Sequence, residues 1–112
     1  TKPISQQGHN MIHVIATIDL APGKRDAFLV EFRKLIPDVK AEVGCIAYGP
    51  AIDAETDIAT QARIGADKVV IVEQWESVAA LKAHAIAPHM QAYRARVKEF
   101  VKGMELRVLS PA

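Results

Sequence analysis

Between Glu73 and His89 the chain gathers a carboxylate, its one tryptophan (Trp75) and two imidazoles, His84 and His89. These are residue types that do chemistry together. Imidazole ordinarily titrates near neutral pH, so His84 suits a general base that takes the proton of a weakly acidic hydroxyl. A carboxylate such as Glu73 can orient that ring, and an indole such as Trp75 offers a flat wall on which a planar molecule stacks.

Each of these residues also has a plain structural reading. Trp75 ends a strand and could be a core residue. His84 lies seven residues after Ser77, in the angular sector of Leu81, and faces inward either as a base or as a packed, hydrogen-bonded ring. Glu73 shares a strand face with Ile71 and Trp75. If that face looks at the helices, the carboxylate needs a partner, for which His84 and His89 are the candidates. Otherwise Glu73 reaches solvent or a dimer salt bridge. His89 follows Pro88 at a helix start, as a second polar contact or a structural group. Tyr48, Phe28, Phe32 and Met90 are expected to line a pocket or to fill a core. His13 falls on the mixed face of the first strand, which assigns it to a dimer interface. Cys45 reads as a small buried hydrophobe.

Composition narrows the classes. A chain of 112 residues makes one domain, and a net charge of +1 without a block of like charge lacks the footprint of a nucleic-acid binder. One cysteine supplies neither an intrachain disulfide nor a zinc cluster, which fits a reducing, cytoplasmic setting. The apolar runs are too short to span a bilayer, so no membrane partner is expected. The polar start, TKPISQQGHN, predicts a loose tail over residues 1–10 before a domain over 11–112.

The elements that must position the polar cluster follow from periodicity. MIHVIATIDL (11–20) alternates as a strand. After Pro22-Gly23, Phe28, Phe32, Leu35, Ile36, Val39 and Val43 recur at helical spacing, with Pro37 expected to kink the helix or remove one hydrogen bond and Gly44 expected to end it. CIAYGPAID (45–53) predicts a short strand, with Gly49-Pro50 marking a bulge or a sheet edge. Residues 54–67 form a long connection, functional or mobile. KVVIVEQW (68–75) is a β-branched strand. Ser77 caps a helix that Pro88 interrupts. Tyr93, Val97, Phe100, Val101 and Met104 then suit a further helix, and MELRVLS closes the chain as a strand. The order predicts an α+β, ferredoxin-like βαββαβ domain with a four-stranded antiparallel sheet. Helices cover one face of such a sheet, and the apolar character of the other predicts a homodimer.

The strings EQWESVAALKAHAIAPHMQAY (73–93), AEVGCIAY (41–48) and MIHVIATIDLAPGKRDAFL (11–29) resemble the antibiotic biosynthesis monooxygenase family, within it the bacterial quinol monooxygenases. The resemblance implies a dimeric α+β barrel that oxygenates quinols or related polycyclic phenols with dioxygen, without metal or flavin. The absence of a G-x-G-x-x-G motif, and of a close His/carboxylate set for non-haem iron, accords with no cofactor and no metal. Haem-degrading relatives use a first-strand asparagine, where this chain has Ala16. Two other functions fit the same scaffold: an isomerase using the same base without oxygen, and a non-catalytic protein that binds a quinone or small metabolite.

Overall fold

A computed structural model describes residues 10–112, so the expected tail falls, apart from Asn10, outside the described residues. The elements run β1 (Ile12–Leu20), α1 (Arg25–Lys40), β2 (Cys45–Ala51), β3 (Lys68–Trp75), α2 (Val78–Ala85), α3 (Pro88–Val97) and β4 (Val101–Leu109). The strands form one antiparallel sheet in the order β2-β3-β1-β4. This is the ferredoxin-like arrangement that the periodicity predicts, with β2 on an edge. No helix among the described residues is long and apolar enough to cross a membrane.

Alternation decides which face of the sheet becomes core. On β1, Ile12, Val14, Ala16, Ile18 and Leu20 are all buried. Antiparallel pairing sets β3 beside them in a register that joins Ile12 to Trp75, Val14 to Glu73 and Ala16 to Ile71. Opposed residues share a face, so Glu73 necessarily points where the helices pack. Across that face lies α1, whose Phe28, Leu29, Phe32, Leu35 and Val39 are buried.

Helix limits depart from the periodicity in two places. The first helix ends at Lys40, and Val43, expected on its apolar face, is 92% exposed. Ala41 is the helical cap, and the chain turns at Gly44, which has a φ of 87°. The turn must form this early because Gly44 passes close to Ala80 of α2 and its carbonyl accepts from the Glu76 amide at 2.8 Å. Pro37 sits in the last turn, where the helix continues past it at the expense of one backbone bond. Ser77 caps α2 as predicted, its Oγ accepting from the Ala80 amide at 3.1 Å.

The second departure is α3, which stops at Val97, so Phe100, Val101 and Met104 are not helical. Val101 pairs with Leu20, and Met104 and Leu106 pair with Ile18 and Ala16. Residues spaced 97, 100, 101 and 104 satisfy a helical period, but 104, 106 and 108 satisfy a strand period, and pairing with β1 decides between them. The bulge of β2 lies between Cys45 and Ala47, ahead of Gly49-Pro50.

Candidate active site

Helices and sheet do not close on each other along β4. They leave a cavity of about 410 Å3 whose walls include Ala16, Ile71, Phe32, Leu81, Met90 and Val97. Met104 and Leu106 line it yet stay exposed, so its mouth runs along β4. The volume suits a small ring system, and the lining is predominantly apolar. Four groups bring polar chemistry to the interior: Glu73, His84, Tyr48 and Tyr93. Arg94 and Lys98 add positive charge at the exposed side.

Glu73 is 5% exposed and accepts a hydrogen bond from the indole Nε1 of Trp75 at 2.9 Å. Burial pushes its carboxyl up to about 7, the indole hydrogen bond pulls it back, and the charge of Glu42 nearby adds to the rise. Glu73 can therefore exchange a proton near neutral pH. Burial, with the charge of Glu73 adding to it, drives the Tyr48 phenol well above its ordinary value, and burial does the same to Tyr93. Both therefore stay protonated and can act as donors. Their rings belong to an aromatic wall in which Phe32 stacks on Tyr48 at 5.5 Å and meets Tyr93 edge-on at 5.8 Å.

His84 closes this wall. It is buried, 4.7 Å from the Trp75 ring and 5.4 Å from the Tyr48 ring, centre to centre. Its Nδ1 is 2.9 Å from Glu42 Oε2, which leaves Nε2 for the cavity the residue lines. His89 Nε2 lies 2.7 Å from the same Glu42 oxygen. One carboxylate between α1 and β2 thus joins imidazoles from the last turn of α2 and the first turn of α3.

Several expectations change with this geometry. The expected Glu73–histidine pair does not form. Glu73 and Trp75 are two apart on one strand face, so the indole reaches the carboxylate first, and Glu42 supplies the histidines' partner. Trp75 is fully buried behind His84 and does not line the cavity, so its indole backs the histidine and offers no wall to a ligand. Phe28 is fully buried against Phe32 and Tyr93, and it too lies outside the lining, as does His89. Phe32, Tyr48 and Met90 do line the cavity. No residue of the 54–67 connection does. His13 lies on the uncovered face of the sheet, its Nδ1 3.3 Å from Gln74 Nε2. Cys45 is half-buried, and burial first, then Glu42, pushes its thiol up, so it is held as the neutral thiol.

Sequence reasoning missed Glu42 and Tyr93. Glu42 stands two residues before a positive-φ glycine that draws its segment onto α2, and no linear spacing to His84 announces that contact. The expectation of no close His/carboxylate set is corrected by the fold: Glu42, His84 and His89 place their ligand atoms within 4.8 Å of one another. Tyr93 is visible as a regular apolar position of α3, and only the cavity distinguishes it from core.

Comparison with known proteins agrees with this architecture. Residues 11–96 match the family model of the antibiotic biosynthesis monooxygenases. The chain is 43% identical over 103 residues to a protein of Escherichia coli (strain K12) named probable quinol monooxygenase YgiN, covering 90% of this chain and 98% of that one. Among solved structures it is similar to PA3566 from Pseudomonas aeruginosa, with a TM-score of 0.76 at 26% identity over 94% of this chain and 97% of that one. Rv0793 from Mycobacterium tuberculosis gives a TM-score of 0.73 at 28% identity, over 91% and 95% of the respective chains. A family match over most of the chain, a relative of nearly equal length and the same fold lead to one conclusion: the chain belongs to the antibiotic biosynthesis monooxygenase family.

Proposed function

We propose that this monooxygenase-family protein oxidises a quinol or related polycyclic phenol with dioxygen, using no metal or flavin in the reaction. The observation that carries the reading is the cavity itself: an apolar chamber of about 410 Å3 with the His84 ring on its wall and that ring fixed from behind by Glu42. The name of the Escherichia coli relative supports the substrate class.

His84 Nε2 takes the hydroxyl proton, and the Nδ1–H bond to Glu42 stabilises the imidazolium that results. The deprotonated ring is a strong enough reductant to pass one electron to dioxygen. Recombination forms a carbon–oxygen bond at a ring carbon that still bears hydrogen, and loss of water from the hydroperoxide leaves a carbonyl. One oxygen atom stays and the other departs in water. Tyr48 and Tyr93, protonated donors in the same chamber, hydrogen-bond the oxygen on which charge collects. Apolar walls exclude water and protect the reduced ring. Phe32 and Met90 shape the chamber, while Trp75 positions both Glu73 and His84.

Oxygen consumption with a reduced naphthoquinol, measured in chelator, tests the reading. Turnover should persist in chelator, and His84→Ala should reduce it about 100-fold per folded molecule. A variant that melts lower but turns over normally per folded molecule would show that His84 is only a packing element.

One observation favours a second reading. Glu73, which can lose its proton near neutral pH, and His84 face a single cavity, and two such groups could move a proton between two carbons as an isomerase does. Proton exchange into bound ligand without oxygen uptake would select that alternative. The active form is a homodimer, a reading supported by the apolar residues Ile15, Val70 and Val72 on the sheet face away from the helices.

A further inference from the structure

Both imidazole contacts on Glu42 fall on one of its two oxygens. A carboxylate has two oxygens and could give one to each histidine, yet His84 Nδ1 and His89 Nε2 both converge on Oε2, at 2.9 and 2.7 Å. Two imidazole nitrogens and a carboxylate oxygen from three separate segments are thus gathered at one place. The geometry points to a divalent-cation site at Glu42, His84 and His89, with zinc the ion it fits.

Two imidazole nitrogens and a carboxylate oxygen form the three-protein-ligand set that tetrahedral zinc accepts, with a fourth position left for water. Ligand atoms about 2.1 Å from a tetrahedral ion stand roughly 3.4 Å apart. The atoms here lie within 4.8 Å of one another, so small side-chain movements suffice. Access is available: the side chain of His84 is 6% exposed, but those of Glu42 and His89 are 13% and 25% exposed. The charge also agrees, since the carboxylate brings negative charge toward a dication.

The fold prepares this set. Only Ala87 separates the Ile86 cap of α2 from Pro88 at the start of α3, so the last turn of one helix and the first turn of the next present rings five residues apart in sequence to the same carboxylate. Glu42 and His89 do not line the cavity, so the ion lies on the far side of the His84 ring from any substrate.

This position has a functional consequence that rests on the reading of His84 as base. Zinc at Nδ1 takes that lone pair and puts the ring's proton on Nε2, the nitrogen left for the cavity. A ring in that state donates and cannot accept. Bound zinc therefore blocks proton removal, and the site is inhibitory.

Calorimetric titration of the chelator-stripped chain with zinc, at neutral pH, tests the site without reference to activity. One zinc per chain is expected. Glu42→Gln and His89→Ala should each weaken binding at least about tenfold while the far-ultraviolet spectrum is retained. His13→Ala, on the opposite face of the sheet, should leave it unchanged. No binding at micromolar zinc, or equal affinity in wild type and both variants, overturns the proposal. Oxygen uptake is then measured with and without zinc. Inhibition in wild type that disappears in His89→Ala supports the shared ring. Stoichiometric binding that leaves turnover intact keeps the cation site and removes His84 from the role of base.

Discussion

Glu73 shows how one residue links stability to pH. Its folded carboxyl titrates at about 7, whereas an unfolded glutamate titrates near 4.3. Between those values the folded chain holds a proton that the unfolded chain has released, so the stability carried by the protonated form is complete below about 4.3 and is lost as pH rises through 7. Glu73→Gln keeps an acceptor for the Trp75 indole and cannot ionise. Its stability relative to wild type, read from thermal melts, should therefore climb between about pH 4 and pH 7 and then level, with a total swing on the order of 3–4 kcal/mol. A difference that stays flat across that range would mean that the carboxylate is not desolvated as described. The sequence disclosed this residue's face but not its partner: alternation places Glu73 toward the helices, while the competition between Trp75 and the histidines for its oxygens depends on distances that only packing fixes.

At the scale of elements, Gly44 is where the site is assembled. Its positive φ and its contact with α2 together bring the Glu42 segment against His84. An added Cβ at Gly44 would lie 2.6 Å from Ala80 Cβ, whereas at Gly23, which also has positive φ, it would meet open space. Gly23→Ala should thus lose only the backbone term, about 1 kcal/mol, and Gly44→Ala should lose roughly 2–4 kcal/mol because strain and overpacking add. Urea denaturation of the two variants measures the contrast, and equal losses would contradict the close approach. Gly44 is legible in the sequence as a helix stop, but its role as a contact point is not. The same limit applies at α3, where Val97, Phe100, Val101 and Met104 fit a helix as well as Met104, Leu106 and Val108 fit a strand, and only the partner strand β1 resolves the ambiguity.

For the whole molecule, the sheet presents Ile15, Val70 and Val72 on the side the helices do not cover, with Val72 46% exposed. Open β-strand faces of this kind associate. Sedimentation at micromolar concentration should show about twice the chain mass, and Val72→Lys should shift the distribution toward the monomer. A soluble wild-type monomer would refute the homodimer. The α+β order was readable because strand and helix periods differ sharply along β1, α1 and β3. The cavity was not, because an apolar position lining a chamber and one filling a core are the same residue in sequence, as Phe28 and Phe32 demonstrate: four apart on one helix, both fully buried, and only the second on the cavity wall.

The carboxylate of Asp53 accepts from the amides of Ile64 and Gly65, both at 2.9 Å, and so ties together the two ends of the connection between β2 and β3. Closing entropy grows only logarithmically with the number of residues between tied ends, and the tied segment contributes nothing to the cavity. The span between Asp53 and Ile64 is therefore interchangeable in length: foreign sequence grafted there, or new chain termini opened there, should leave the cavity as it is, provided Asp53 keeps its two amides.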